Sequence, residues 1–240
     1  MAQSDEEYLS LDDCDIKIQT PARILIAGPS TSGKSWLILR LLQNKSYIFN
    51  ETFKSIYYVF PEYMAESRKD YLNDLKKTFP SICIVEGLDN LDLEELKYNK
   101  EPKLLIIDDL MNEVASQPDI SSLFYRDSHH YNISYIITLQ LFYVQHKFGI
   151  LLRRNATTVI LFKDRGDISV LSMIARKKFP NSPNLLLDAM DWLENNEFER
   201  TNQYLVIDNH PMSKMPSDLT VRTQILPINN ELMPIYFMYK

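Results

Sequence analysis

The sequence predicts an α/β fold, a three-layer sandwich with a mainly parallel central sheet. Two observations lead there: short apolar, β-rich runs alternate along the chain with longer polar-apolar segments, and the runs are near-continuous in their hydrophobicity. A strand that is apolar at every position needs cover on both faces, and helical crossovers between strands supply it. With 240 residues and 45% hydrophobic content, there is enough material to fill such a core.

Strands are expected at 23–27, 55–60 (Ser-Ile-Tyr-Tyr-Val-Phe), 82–85, 104–107, 133–139, 158–162 (Thr-Val-Ile-Leu-Phe) and 204–207. Helical segments are expected at 34–43, 62–79, 119–131, 167–179 and 184–195. Residues 1–20 read as an acidic, flexible leader, and 21–209 as one α/β domain. Residues 210–240 are broken by Pro211, Pro216, Pro227 and Pro234 and form an extension. Its apolar end, Ile235-Tyr236-Phe237-Met238-Tyr239, is expected to pack on the core as an added strand or to form a subunit contact. No internal repeat or low-complexity run interrupts this order.

The net charge of −6 argues against a protein that coats nucleic acid with its whole surface, yet the charge is unevenly spread. The leader sets Asp5, Glu6, Glu7, Asp12, Asp13 and Asp15 against Lys17 alone. Residues 140–180 set Lys147, Arg153, Arg154, Lys163, Arg165, Arg176, Lys177 and Lys178 against Asp164 and Asp167. Cys14 and Cys83 form no metal-spaced cluster, as in a reduced intracellular protein. The acidic N-terminus lacks an apolar signal core, and no stretch approaches the roughly 18 apolar residues of a membrane span. A soluble, intracellular chain is expected.

Directly after Arg23-Ile24-Leu25-Ile26-Ala27 comes Gly28-Pro29-Ser30-Thr31-Ser32-Gly33-Lys34-Ser35, which reads G-x-x-x-x-G-K-S. A strand that breaks into such a turn and then a helix aims backbone N–H groups and the positive helix end at one point, where a triphosphate can sit. This is the phosphate-cradling P-loop of a nucleoside triphosphatase. Lys34 is expected on the β- and γ-phosphates of ATP and Ser35 on Mg²⁺, while residues 28–35 together bind the nucleotide.

Leu104-Leu105-Ile106-Ile107-Asp108-Asp109 places two carboxylates where a buried strand emerges, the Walker B pattern. Asp108 is expected near Mg²⁺, and Asp109 is the candidate base for the attacking water. Many ATPases carry Glu in that second place, so Glu113, one helical turn on, is an alternative base. The run Ile133-Ser134-Tyr135-Ile136-Ile137-Thr138-Leu139-Gln140 is a further buried strand with a polar end. If it neighbours the Walker B strand, Gln140 projects beside the γ-phosphate and can sense it.

Arg153 and Arg154 have no adjacent acid in sequence and are candidates for a finger offered to a neighbouring subunit's γ-phosphate, with a solvated helix end or a DNA-phosphate contact as the alternatives. Arg126 and Arg165 compete for that role. Arg176-Lys177-Lys178 at a helix end complement the helix dipole. His129-His130 point in different directions on a helix, lack a third ligand and read as surface residues.

Taken in order, these motifs resemble the FtsK/HerA superfamily of DNA-pumping ATPases, and within it the viral genome-packaging ATPases of the poxvirus and Polinton (Maverick) type. The resemblance is carried by Gly28 to Ser35, by Leu-Ile-Ile-Asp-Asp-Leu-Met at 105–111, and by His129-His130-Tyr131-Asn132 leading into the strand that ends Leu139-Gln140-Leu141-Phe142. It continues through Arg154-Asn155-Ala156, Phe162-Lys163, Arg165-Gly166-Asp167 and Ala175-Arg176-Lys177-Lys178-Phe179-Pro180, and spans about 20–210.

The resemblance implies a RecA/FtsK-like fold and a homo-oligomeric ring of five or six subunits that hydrolyses ATP to drive double-stranded DNA into a capsid. It also implies capsid or portal-like vertex proteins as partners, and work in the host nucleus or cytoplasm at sites of virion assembly, or in the virion. Family members tend to have a Gln-Asn pair where this chain has Gln140-Leu141. A small-molecule kinase is the alternative enzyme, but the acid pair and the Gln-ended strand suit water as acceptor, and no Arg-rich lid is evident. A non-catalytic nucleotide switch or scaffold is the third reading.

Overall fold

The structure is a computed structural model that describes residues 17–117, 120, 122–143, 147–164, 166–196, 203–213, 220–223, 225 and 236–237. Residues 1–16, Arg165, Pro216, Pro227 and Pro234 lie outside the described residues, so the leader up to residue 16, Cys14, the Arg165 alternative and much of the extension are not described, while Ile18 at the end of the leader is buried and bridges to Phe49.

Nine strands form one sheet: β1 (Arg23–Ala27), β2 (Ser55–Phe60), β3 (Cys83–Glu86), β4 (Lys103–Ile107), β5 (Ile133–Leu139), β6 (Thr158–Phe162), β7 (Tyr204–Asp208), β8 (Val221–Thr223) and β9 (Tyr236–Phe237). Their spatial order is β3-β2-β4-β5-β1-β6-β7-β8-β9. The six from β3 to β6 are mutually parallel, and β7, β8 and β9 add on antiparallel. The expected α/β class is thus the one observed, and the seven expected strands appear with ends within a residue.

Alternation along each strand splits the core into two layers. Leu25, Tyr57, Val59, Leu105, Ile107, Tyr135 and Ile137 pack on one face. Ile24, Ile26, Tyr58, Phe60, Leu104, Ile106 and Ile136 pack on the other.

The second face is covered by α1 (Lys34–Gln43), α2 (Lys45–Ile48) and α3 (Lys69–Thr78), through Leu37, Ile38, Leu41, Ile48, Leu72 and Leu75. The first is covered by α4 (Leu93–Lys97), α5 (Met111–Ser116), α6 (Lys147–Asn155), α7 (Ser169–Lys178) and α8 (Leu185–Asn195). In α1 the pairs Leu37-Ile38 and Leu41-Leu42 recur one turn apart and are fully buried, which makes a single apolar stripe against the sheet.

Two expected helices differ. The segment 62–79 divides into a 3₁₀ turn, Glu62–Met64, and α3. The residues between are largely exposed and carry too little apolar side chain to pin a continuous helix. In the segment 119–131, Ile120 and Ser122 are α-helical, Leu123–Asp127 form a π-helical turn and turn residues follow, so His129 and His130 sit exposed on a turn rather than on a helix. Burial, the Arg23 guanidinium and His130 together hold the His129 imidazole below its usual range. Among the described residues no helix is long and apolar enough to cross a membrane.

Candidate active site

Because β5 lies between β1 and β4, three strand ends meet at the carboxyl edge of the sheet. Gly28 N–H donates to Leu139 O at 3.1 Å, which fixes the start of the P-loop against the end of β5. The loop then passes through left-handed backbone at Thr31 (φ 64°) and Gly33 (φ 107°) before α1 begins at Lys34. A Cβ on Gly28 would stand 2.6 Å from Phe162 Cβ and 3.0 Å from Ser32 Oγ, so a side chain at this position has no room.

Lys34 Nζ turns in and donates to the Gly28 and Pro29 carbonyls at 2.7 and 2.8 Å. Burial lowers its pKa, and Asp109 and Asp108 partly oppose that shift. Ser32 Oγ is buried in the loop with no hydrogen-bond partner. An open cleft of about 440 Å³ spreads from the loop, with Lys34, Ser35, Arg68, Asp109 and Gln140 on its walls.

Asp108 is fully buried and collects four side-chain donors. Ser35 Oγ and Tyr58 OH reach Oδ2 at 3.3 and 2.6 Å, the Arg68 guanidinium reaches it at 2.5 Å, and Thr138 Oγ1 reaches Oδ1 at 2.6 Å. Asp109 has left-handed backbone, φ 62°. Its N–H donates to Thr138 Oγ1 at 2.9 Å, and its carboxylate accepts the second arm of Arg68 at 2.9 Å.

Burial works against the Arg68 charge, but Asp108 and Tyr58 outweigh it and raise its pKa. Burial, reinforced by Asp108, lifts the Tyr58 phenol well above its usual range, so it acts as a donor. Tyr71, on α3, donates to the Ser35 carbonyl at 3.0 Å and closes the back of the site.

The oxygens of Ser35 and Asp108 suit Mg²⁺, a hard cation that takes one or two protein ligands and completes its shell with water and phosphate. Among the described residues no group of three or more His, Cys, Asp or Glu side chains could hold a metal without such help.

The sequence-predicted residues divide into two groups. Residues 28–35, Asp108, Asp109 and Gln140 come together at one edge. Glu113 is exposed on α5 and is not among the residues lining the cleft. Arg126 lies on the turn leading to Ser128, whose hydroxyl accepts from Arg23 at the amino end of β1, on the opposite edge.

Arg153 and Arg154 line a separate cleft of about 510 Å³ with Phe142, Tyr143, Lys177 and Lys178. Arg153 donates to the Phe142 carbonyl at 3.0 Å, and Arg153 and Lys177 each sit 5.1 Å from the Tyr143 ring centroid. Lys178 donates to Asn209 Oδ1. Burial brings its ammonium down to about 8, with Asp208 opposing.

Tyr58, Arg68 and Thr138 were not singled out by sequence reasoning. Thr138 carries the one available signal, a polar residue one step before the end of a largely apolar strand that pairs with β4.

No family model matches the chain, and no curated protein matches it. Among solved structures, it is similar to the genome packaging NTPase B204 of Sulfolobus turreted icosahedral virus 2 in complex with sulfate, at 19% identity and TM-score 0.48, over 79% of this chain and 92% of that one. It is also similar to the DNA-packaging ATPase B204 of Sulfolobus turreted icosahedral virus, at 16% identity and TM-score 0.49, over 78% and 92%. The EssC ATPases 2 and 3 of Geobacillus thermodenitrificans share 19% identity at TM-score 0.46, over 65% of this chain and 35% of that one.

Proposed function

We propose that the protein is an ATP-hydrolysing motor that moves double-stranded DNA into a viral capsid. One observation carries the hydrolytic part of this reading: Lys34, Ser35 and the acid pair converge at the edge where the P-loop opens. In this reading the loop amides and Lys34 bind the phosphates of ATP. Ser35 and Asp108 hold Mg²⁺, which supplies charge neutralisation at the phosphate oxygens. Asp109, on the wall of the cleft and oriented by Arg68 and Thr138, takes the proton of the attacking water. Gln140 orients that water and reports on the γ-phosphate.

The motor part rests on the residues of the second cleft and on the sequence resemblance. Four cations and two aromatic rings meet there within one wall of the molecule, a combination that suits polyphosphate. Arg153 and Arg154 are not among the residues lining their own subunit's P-loop cleft. Action of either on a γ-phosphate would therefore serve another copy, which fits a homo-oligomeric ring. Capsid or portal-like vertex proteins as docking partners, and work at sites of virion assembly, belong to the same proposal.

The test is ATP hydrolysis measured against added duplex DNA for the wild type, for Arg153→Ala, and for mixtures of the two. The motor reading expects stimulation by DNA that fades steeply with salt, and mixtures that fall below the average of their parts. One rate with and without DNA, together with a straight mixing line, would remove it.

A further inference from the structure

Arg68 belongs to no phosphate-binding motif, yet among the described residues it is the cation that pairs with both carboxylates, through NH1 to Asp108 and NH2 to Asp109. We propose that Arg68 is an internal counter-ion that competes with divalent metal for the acid pair and is released to the phosphates of an arriving nucleotide, so that metal enters only together with nucleotide. This inference rests on the reading of the cleft as an Mg-ATP site.

The argument begins with charge. Lys34 and Arg68 balance Asp108 and Asp109, so the side chains of the site sum to zero. A free divalent ion at Ser35 and Asp108 would stand beside a guanidinium only 2.5 Å from the same oxygen, and like charges at such a range repel by several kcal/mol even at an effective dielectric of about 20. A metal carried by a polyphosphate brings surplus negative charge. That surplus offers the guanidinium a second partner of matching geometry, since its planar fork fits phosphate as well as carboxylate.

Position supports the exchange. The Arg68 side chain is 15% exposed and lies on the wall of the cleft that holds Lys34 and Ser35, so phosphate entering the cleft comes within its reach. Its backbone leads into α3 from a largely exposed turn, and its N–H is held by the Met64 carbonyl at 3.0 Å. The guanidinium can therefore change partners by side-chain rotation, while Leu72 and Leu75 stay packed. Asp108 would keep its Ser35, Tyr58 and Thr138 donors throughout and so would not be left bare.

The probe is Mn²⁺ alone, followed by electron paramagnetic resonance on the full chain without nucleotide, alongside titration with a fluorescent ATP analogue. Arg68→Gln is expected to bind Mn²⁺ about tenfold or more tighter than the wild type, because the competing cation is gone. In the wild type, added ADP is expected to bring Mn²⁺ affinity up toward the variant's level.

If Arg68→Gln does not fold, Arg68→Lys replaces it. A single ammonium cannot span both acids, so this variant too should bind Mn²⁺ more tightly than the wild type. Equal Mn²⁺ affinity in variant and wild type, with the analogue still bound, overturns the counter-ion role and leaves the ATP site standing. Failure of the wild type to bind the analogue overturns both.

Discussion

Thr138 donates its hydroxyl to Asp108 Oδ1 at 2.6 Å across the β4–β5 pair, although the two residues lie 30 positions apart. The Thr138 hydroxyl oxygen in turn accepts the Asp109 N–H at 2.9 Å. One buried hydroxyl thus fixes both acids. Thr138→Val keeps the shape and removes both bonds, so it should cost about 1.5–3 kcal/mol, the worth of a hydrogen bond to a charged group. Urea unfolding measures that cost. Hydrolysis should fall while binding of a fluorescent ATP analogue is retained, because Lys34 and the loop are untouched.

Tyr58→Phe removes the 2.6 Å bond to Asp108 from a side chain with no solvent exposure. A loss of about 1.5–3 kcal/mol is again expected. Combined with Thr138→Val the losses should not add, since both changes strip donors from one carboxylate. A double-mutant cycle in urea tests this, and simple additivity would mean that Asp108 finds replacement donors.

Asp109→Asn should lower ATP hydrolysis by about 10²–10⁴-fold, the usual contribution of a positioned general base. Nucleotide binding should survive, because Lys34 and the loop are untouched. Single-turnover hydrolysis with a parallel binding titration checks this. A full rate in Asp109→Asn would remove Asp109 as the base.

Gly28→Ala inserts a Cβ 2.6 Å from Phe162 Cβ, with no flexible side-chain end to give way. Destabilisation by about 1–3 kcal/mol is expected from such overpacking. The loop should also shift away from the end of β5 and lose nucleotide affinity. Thermal melts with and without ATP report both effects, and an unchanged ligand-induced rise in Tm would contradict the close approach.

Lys178 gives the pH dependence. Its folded pKa, about 8, lies below the ordinary 10.5, so between those values the unfolded chain holds the proton more often. Stability contributed at this site is lowest below pH 8 and rises with pH across about 8 to 10.5. Lys178→Gln should therefore flatten the difference between urea midpoints measured at pH 7.5 and 9.5. Within the native protein, Lys178 should also react with a neutral acylating reagent at pH 8 ahead of Lys177, as peptide mass spectrometry would read. Equal labelling would place its pKa at the ordinary value.

The fold was legible because its strands are apolar on both faces: runs such as Leu104-Leu105-Ile106-Ile107 carry their burial in their composition. The P-loop and the acid pair were legible because backbone chemistry fixes their spacing. Arg68 was not. It sits in Glu66-Ser67-Arg68-Lys69-Asp70, which reads as a solvated helix start, and it meets Asp108 and Asp109 only because β2 and β4 are neighbours. Tyr58 was hidden similarly, its hydroxyl masked by an aromatic strand. Arg153 stood out in the sequence because no acid is adjacent to it, but only the fold assigns it to a different cleft from Lys34.

Thr31 and Asp109, on the walls of one cleft, both hold left-handed backbone, at φ 64° and 62°. A conformation of this kind in a residue with a side chain costs on the order of 1–3 kcal/mol, and the surrounding fold must sustain it. The chain is consequently tuned away from its own stability optimum at the place where chemistry is proposed. A directed-evolution campaign that selected only for heat resistance would be drawn to Thr31 and Asp109 first. Glycine at Asp109 would remove both the strain and the carboxylate, leaving a protein more relaxed there and poorer at its task.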